Sequence, residues 1–268
     1  SGATLKVIPM KADGTLDWSE ELLTEATRIV AVNHVSNALG SINPVERIIA
    51  DAHAKGAQVL IDGAQSGPHM AIDVQALDAD YYCLSGHKVY GPTGIGVLYG
   101  KLDRLKELPP YQGGGDMIKE VRFEGTTYAE PPFKFEAGTP NIAGAVALGA
   151  AFDFMASVGV ERIARHEESL RKMGEEALIG IEGLRIYGTA ENKASVISFL
   201  IGTNHPYDTG VLLDQMGIAI RTGHHCTQPI MDYYDIPGTA RASFAAYNTE
   251  EEVLKFVDGV KRVAQMLQ

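Results

Sequence analysis

Residues 82–92 (YCLSGHKVYGP) run from an apolar stretch through small residues to a histidine, a lysine and a Gly-Pro turn. Such a run ends a buried strand, and open α/β sheets bind their ligands just outside the carboxyl ends of their strands. An amine fixed there by short loops, Lys88, is placed to form a Schiff base with an aldehyde cofactor. One βα unit upstream, 58–61 is a second short apolar strand, followed by the string DGAQS from Asp62 to Ser66. A carboxylate at Asp62 can keep a pyridine nitrogen protonated, so that the ring draws electrons from a substrate carbanion. Gln65 can donate to a ring oxygen. A third strand, 29–32, leads to Asn37, whose amide can reach a ring substituent. Singly these residues have plainer readings: a surface lysine, an aspartate capping a helix. Three successive strand ends bearing Asn37, Asp62 and His87-Lys88 set them apart.

A candidate nucleophile of another kind is Cys226, in the string RTGHHCTQP from Arg221 to Pro229. Two histidines and an arginine beside it in sequence favour the nucleophilic thiolate. The pair of histidines before a cysteine also invites a zinc reading, but no further Cys or His falls at ligand spacing, so no metal is expected. A buried structural cysteine is the ordinary reading of an isolated thiol. It is the one given to Cys83, inside an apolar run, whereas Cys226 lies in a polar, Gly-containing loop where exposure is expected.

The strings HVSNALGSINP, IDGAQS, DYYCLSGHKVYGPTGIGVLYG, FEAGTPN and RTGHHC are similar to those of the pyridoxal-phosphate-dependent cysteine desulfurases. They most resemble the SufS-like group, which also includes selenocysteine lyases. The resemblance runs over essentially the whole chain. It implies an α/β protein of PLP fold type I: a cofactor domain with a mostly parallel sheet over 1–156, and a smaller α+β domain over 157–268 carrying the cysteine loop. By the same resemblance Lys88 is the Schiff-base lysine and Asp62 the pyridinium partner, Gln65 bonds the ring hydroxyl oxygen, and Ser85 and His87 hold the phosphate. Asn37 contacts the ring hydroxyl or the substrate carboxylate. Thr139 reaches the cofactor of a neighbouring subunit, which implies a homodimer. Arg241, with Arg221, binds the substrate carboxylate, and Cys226 takes up sulfur as a persulfide. Substrates implied are L-cysteine or L-selenocysteine, with a sulfur acceptor of the SufE or SufU type and delivery to iron–sulfur cluster assembly. Members of that group carry, ahead of the position matching Ser1, further strands of the cofactor domain, a Thr-bearing phosphate loop and a ring-stacking histidine. The cofactor domain is therefore expected to be partial, its sheet left with exposed edges and apolar faces. Two other readings stay open: a non-catalytic fragment that cannot hold the cofactor, and a kynureninase-like lyase or aminotransferase, against which the RTGHHC loop argues.

The elements that must position these residues read as βα alternation from about 5 to 100, with helices near 19–28 and 45–55. A Gly- and Pro-rich stretch, 108–140, reads as long loops that reach across the implied dimer. Helical patterns follow at 142–157 and 159–180, the apolar run 141–155 reading as a buried helix. Strands are expected at 184–187, 195–200 and 218–221, with a helix near 208–216. A last helix over 250–267 follows Thr249, which with Glu252 can form a capping box. With 268 residues and 45% hydrophobic content the chain can bury a sizeable core. A net charge of −11 without a basic cluster argues against nucleic-acid binding. Two cysteines give no disulfide framework, the start lacks a signal-peptide pattern, and no apolar run has membrane-spanning length, so a cytoplasmic enzyme is expected.

Overall fold

The computed structural model describes residues 2–267. The site hangs on two four-stranded sheets. In the first, β1 (Ile29–Asn33), β2 (Gln58–Asp62) and β3 (Tyr81–Ser85) run parallel, and β4 (Gly96–Gly100) pairs antiparallel with β3, in the order β1-β2-β3-β4. Alternation decides which face is covered. Val30, Val32, Val59 and Ile61 point inward and pack with Val45, Ile48, Ile49 and Ala52 of helix α1 (Val45–Ala54). The outward residues of β1, Ile29 and Ala31, are exposed, as are Gly96, Val97 and Leu98 of β4. A short α2 (Val74–Leu77), capped by Asp73, leads into β3. The connections β1-α1-β2 and β2-α2-β3 deliver three carboxyl ends side by side.

Helix α3 (Leu102–Glu107) follows β4, and then a hairpin of β5 (Ile118–Arg122) and β6 (Gly125–Tyr128). The stretch 108–140, read as loops alone, thus contains paired strands. All nine residues are exposed, and in β5 the apolar Ile118 and Val121 sit three apart instead of alternating, so apolar alternation could not announce them. Helix α4 (Ile142–Val158) breaks at Gly159, whose φ of +93° only glycine adopts readily, and α5 (Val160–Ile179) begins. The expectation of a buried helix at 141–155 fails for most of its surface. Leu148, Ala151 and Met155 are buried, but Ile142, Val146, Phe152 and Phe154 are exposed.

The second sheet is antiparallel throughout, in the order β7-β8-β10-β9, from β7 (Leu184–Tyr187), β8 (Val196–Ile201), β9 (Arg221–Gly223) and β10 (Thr239–Ser243). Helices α6 (Pro206–Gln215), α7 (Gln228–Tyr234) and α8 (Glu250–Met266) interleave with it. All six residues of β8 are buried. Ile197, Phe199 and Ile201 form a core with Leu170 and Leu178 of α5 and Val253, Phe256 and Val260 of α8. The α8 capping box is present: Glu252 N–H donates to Thr249 Oγ1 (3.2 Å) and Thr249 N–H to Glu252 Oε2 (3.0 Å).

Two other expectations are corrected. The helix near 19–28 is a single 3-10 turn, Glu20–Leu22. Beyond it Thr24 and Thr27 close their own turn, Thr24 N–H donating to Thr27 Oγ1, a side-chain alternative to helical pairing. The strand near 218–221 lies instead at Arg221–Gly223, where it finds its partner in β10. No single helix among the described residues is long and apolar enough to cross a membrane.

Candidate active site

The parallel register sets Asn33, Asp62 and Cys83 abreast on β1, β2 and β3, so the loops that carry Asn37, Gln65 and Lys88 leave from one edge of the sheet. A hydrogen-bonded chain ties these ends together. Ser66 Oγ donates to Gly63 O (3.1 Å) and stands 2.6 Å from Tyr82 Oη, which is 2.9 Å from His34 Nδ1. With the Ser66 proton spent on a carbonyl, Tyr82 donates to Ser66 and His34 Nδ1–H donates to Tyr82. Burial pushes the Tyr82 phenol up to about 12, so it stays protonated. Its ring fills the space beside Asp62: a Cβ at Gly63 would lie 1.9 Å from Tyr82 Cε1, which is why glycine follows the aspartate.

Asp62 is exposed, and its Oδ1 accepts Ala64 N–H at 2.9 Å, so one oxygen closes the turn while Oδ2 has no partner among the described residues. The capping reading and the ligand reading therefore use different oxygens. Lys88 is half-buried in a 3-10 turn, Gly86–Lys88, directly after β3, and its amine has no partner among the described residues. Cys83, assigned to the core, is only half-buried. Its Sγ lies 3.7 Å from Ile61 O and 3.9 Å from Asp62 Oδ1, because its side chain takes the uncovered face of β3; burial, first, and the Asp62 charge raise its pKa.

The second sheet brings its loop to the same edge. Asn37 Nδ2 donates to His225 O (2.6 Å), and Arg241 Nη1 donates to Asn37 O (2.6 Å). Cys226 is exposed. Both it and His225 are left-handed, with φ of 61° and 55°, a strain of about 1–3 kcal/mol each for non-glycine residues. The His225 ring holds that geometry: its Nε2 lies 2.9 Å from Thr239 O and 3.0 Å from Thr239 Oγ1. A carbonyl only accepts, so Nε2 carries the proton and Nδ1 is a buried acceptor without a partner among the described residues. Burial, then the Arg241 charge, pushes the ring down to about 4. The expectation that both neighbouring histidines favour the thiolate is corrected for His225, which is neutral and turned away. Arg241 is the cation that feels Cys226, whose charge raises the Arg241 pKa against the larger lowering by burial and by Arg221.

Arg221 and Arg241 stand directly opposite each other on β9 and β10. Like charges across a strand pair repel, and the buried Arg241 Nε has no partner among the described residues. With Nη1 spent on Asn37, the Nε and Nη2 edge is left, the edge that grips a carboxylate through two parallel bonds. Asn37, Cys226, Arg221 and Arg241 are thus joined by contact and register, while Asp62, Gln65, Ser85, His87 and Lys88 share the neighbouring strand ends. Thr139 is exposed in the loop before α4, and no contact joins it to the others among the described residues. His34, Ser66 and Tyr82 escaped the sequence reading; the signal was a tyrosine in a buried strand, whose hydroxyl must find a partner. Among the described residues no group of three or more His, Cys, Asp or Glu side chains is placed to hold a metal ion.

The aminotransferase class-V profile matches residues 1–256. A cysteine desulfurase of Serratia proteamaculans is 51% identical over 269 residues, covering 99% of this chain and 66% of the relative; one of Dickeya dadantii is also 51% identical, covering 65% of the relative. The chain thus spans about two thirds of the length of these curated relatives. Among solved structures, the apo cysteine desulfurase of Thermococcus onnurineus superposes with a TM-score of 0.93 at 40% identity, over 97% of this chain and 66% of that one. An Escherichia coli cysteine desulfurase gives 0.88 at 42% identity, over 92% of this chain and 61% of that one.

Proposed function

The chain belongs to the aminotransferase class-V family, and on that premise we propose that it is the lysine- and thiol-bearing portion of a pyridoxal-phosphate-dependent cysteine desulfurase. Such an enzyme takes sulfur from L-cysteine, holds it as a persulfide on Cys226, releases L-alanine and passes the sulfur to an acceptor of the SufE or SufU type for iron–sulfur cluster assembly. Residues 1–156 would form the cofactor domain and 157–268 the domain that handles sulfur, in a cytoplasmic homodimer. One observation carries the reading: Asn37 binds the backbone of the Cys226 loop and the Arg241 guanidinium at once, setting thiol and carboxylate grip beside the strand ends of Asp62 and Lys88.

The donor set suits pyridoxal phosphate. It has an amine without a competing partner, a carboxylate with one oxygen to spare, an amide, and a hydroxyl and imidazole on one turn. When bound, the cofactor supplies a cationic ring that takes up the electron pair released at the substrate's α-carbon. Asp62 keeps the ring nitrogen protonated, Gln65 and Asn37 hold the ring oxygen, and Ser85 and His87 hold the phosphate with Thr139 of the partner subunit. Lys88 Nζ would hold the cofactor and, as a free amine, would take the proton from the substrate's Cα. Arg241 and Arg221 fix the substrate carboxylate. The Cys226 thiolate attacks the substrate sulfur: an S–S bond forms and the C–S bond breaks with its electron pair going to Cβ, which takes up a proton, while the proton held by Lys88 returns to Cα, giving alanine. L-Selenocysteine is the competing substrate.

L-Cysteine supplied without an acceptor to the protein incubated with pyridoxal phosphate is expected to add the mass of one sulfur atom to the Cys226 peptide. Alanine release with that peptide unchanged would overturn the mechanism. A second reading, a fragment that binds no cofactor, is favoured by the exposed outer face of the first sheet; failure of a visible absorbance band to form would select it.

A further inference from the structure

Glu167 belongs to none of the groups described so far. It lies on α5, in the half of the molecule built on the second sheet, and is 1% exposed. Both of its carboxylate oxygens are taken by residues from the other half. Oε2 accepts His69 Nδ1–H at 2.6 Å, and Oε1 accepts Tyr90 Oη–H at 3.4 Å. His69 stands in the loop that begins at Asp62 and carries Gln65, its N–H bonded to Ser66 O (3.0 Å). Tyr90 stands two residues after Lys88 in a left-handed conformation, φ 62°, that a tyrosine keeps only when held. It is held on every side. Its hydroxyl accepts Ala246 N–H (3.1 Å), and its ring meets Phe154 and Tyr247 edge-on at centroid distances of 5.7 and 6.4 Å. Ser195 Oγ donates to the Glu167 backbone carbonyl at 3.1 Å and ties this turn of α5 to the start of β8.

A buried carboxylate is tolerated only when its lone pairs are met, and here both partners come from loops whose other ends bear Asp62 and Lys88. We propose that Glu167 is a positioning residue, a clamp that fixes the Asp62–Gln65 loop and the Lys88 loop relative to each other from outside the site. Resting on the cofactor reading, the clamp sets the separation of ring carboxylate and amine, so that one rigid ligand meets both.

Amide hydrogen exchange on the 268-residue chain tests it without cofactor. Glu167→Gln keeps the volume and removes the charge; it should speed exchange in both 63–70 and 86–92 by about tenfold, the shift that loss of one charged hydrogen bond brings. Tyr90→Phe deletes one hydroxyl and preserves the fold, yet should also loosen 63–70, to which, among the described residues, the Tyr90 hydroxyl is hydrogen-bonded only by way of Glu167. Faster exchange confined to α5, or to the mutated loop alone, would overturn the clamp. Titration with pyridoxal phosphate, followed by its absorbance, separates the two ideas. Coupled loops in a protein that takes up no cofactor would sink the cofactor reading and leave the clamp. A bound cofactor with unchanged band position and affinity in Glu167→Gln would sink the clamp and leave the reading.

Discussion

The two sheets solve the same problem of burial unequally. The antiparallel sheet buries every residue of β8, Ile197, Phe199 and Ile201 against α5 and α8, and Ser198 and Leu200 against Ala38 and Leu39 of the first half. The parallel sheet is covered on the α1 face only, and Ile29 and Leu98 on its other face are exposed, although parallel sheets are otherwise found covered on both faces. The thiol and the arginines thus stand on a framework covered on both faces. The lysine and the aspartate stand on one whose apolar surface is unfinished. Under the proposed function, sulfur handling and cofactor holding can then fail separately.

Separating them is the largest expected effect. Lys88→Ala should abolish the pyridoxyl adduct that borohydride reduction and peptide mapping would place on Lys88, together with all turnover. Cys226→Ala should keep the adduct and lose the persulfide. If either variant lost both, the two halves would not be independent. Next in size is stability: Phe199→Ala should cost about 3–5 kcal/mol, read by denaturant unfolding, and should release the second sheet first. Asp62→Asn should slow turnover about a hundredfold while the adduct on Lys88 persists; a near-normal rate would reduce Asp62 to its turn contact with Ala64. A smaller effect is acid sensitivity. His225 is pushed by burial from 6.5 to about 4, so between those values the unfolded chain binds the extra proton and the fold does not. Stability is therefore complete above about pH 6.5 and falls as pH drops toward 4, by at most about 1.4 kcal/mol per unit. His225→Gln should flatten that part of an unfolding-midpoint-against-pH curve. The smallest effect is the sharpest check on the bare face: Leu98→Ser should change stability by no more than about 0.5 kcal/mol, whereas a loss of several would mean that the face is covered in solution.

What the sequence discloses follows from range. Strand ends announce themselves by an apolar run closing in small residues, and that pattern puts Asp62 and Lys88 at the ends of β2 and β3, where they stand. The Thr249–Glu252 cap is equally local. The contacts that assemble the site are not local: Asn37 meets His225 across 188 positions and His69 meets Glu167 across 98. No spacing rule reaches so far. Where the local pattern misled, a nearby competitor had won, as with the Thr24–Thr27 turn inside the helix expected at 19–28. The apolar composition of α4 says that it seeks partner surfaces but not how much of them this chain provides: Leu148 and Met155 are covered, while Val146 is 72% exposed.

The facing guanidinium groups of Arg221 and Arg241 have a calorimetric consequence. Two cations held abreast make the folded protein a better anion host than the unfolded chain, where they drift apart. Mass action then makes each small carboxylate a stabiliser, raising the melting temperature with the logarithm of its concentration. Glycine, alanine and cysteine, ranked by the melting shift each produces, would report the grip of this strand pair with no turnover measured. Chloride would erode the ranking, because it screens the same repulsion that draws the carboxylate in.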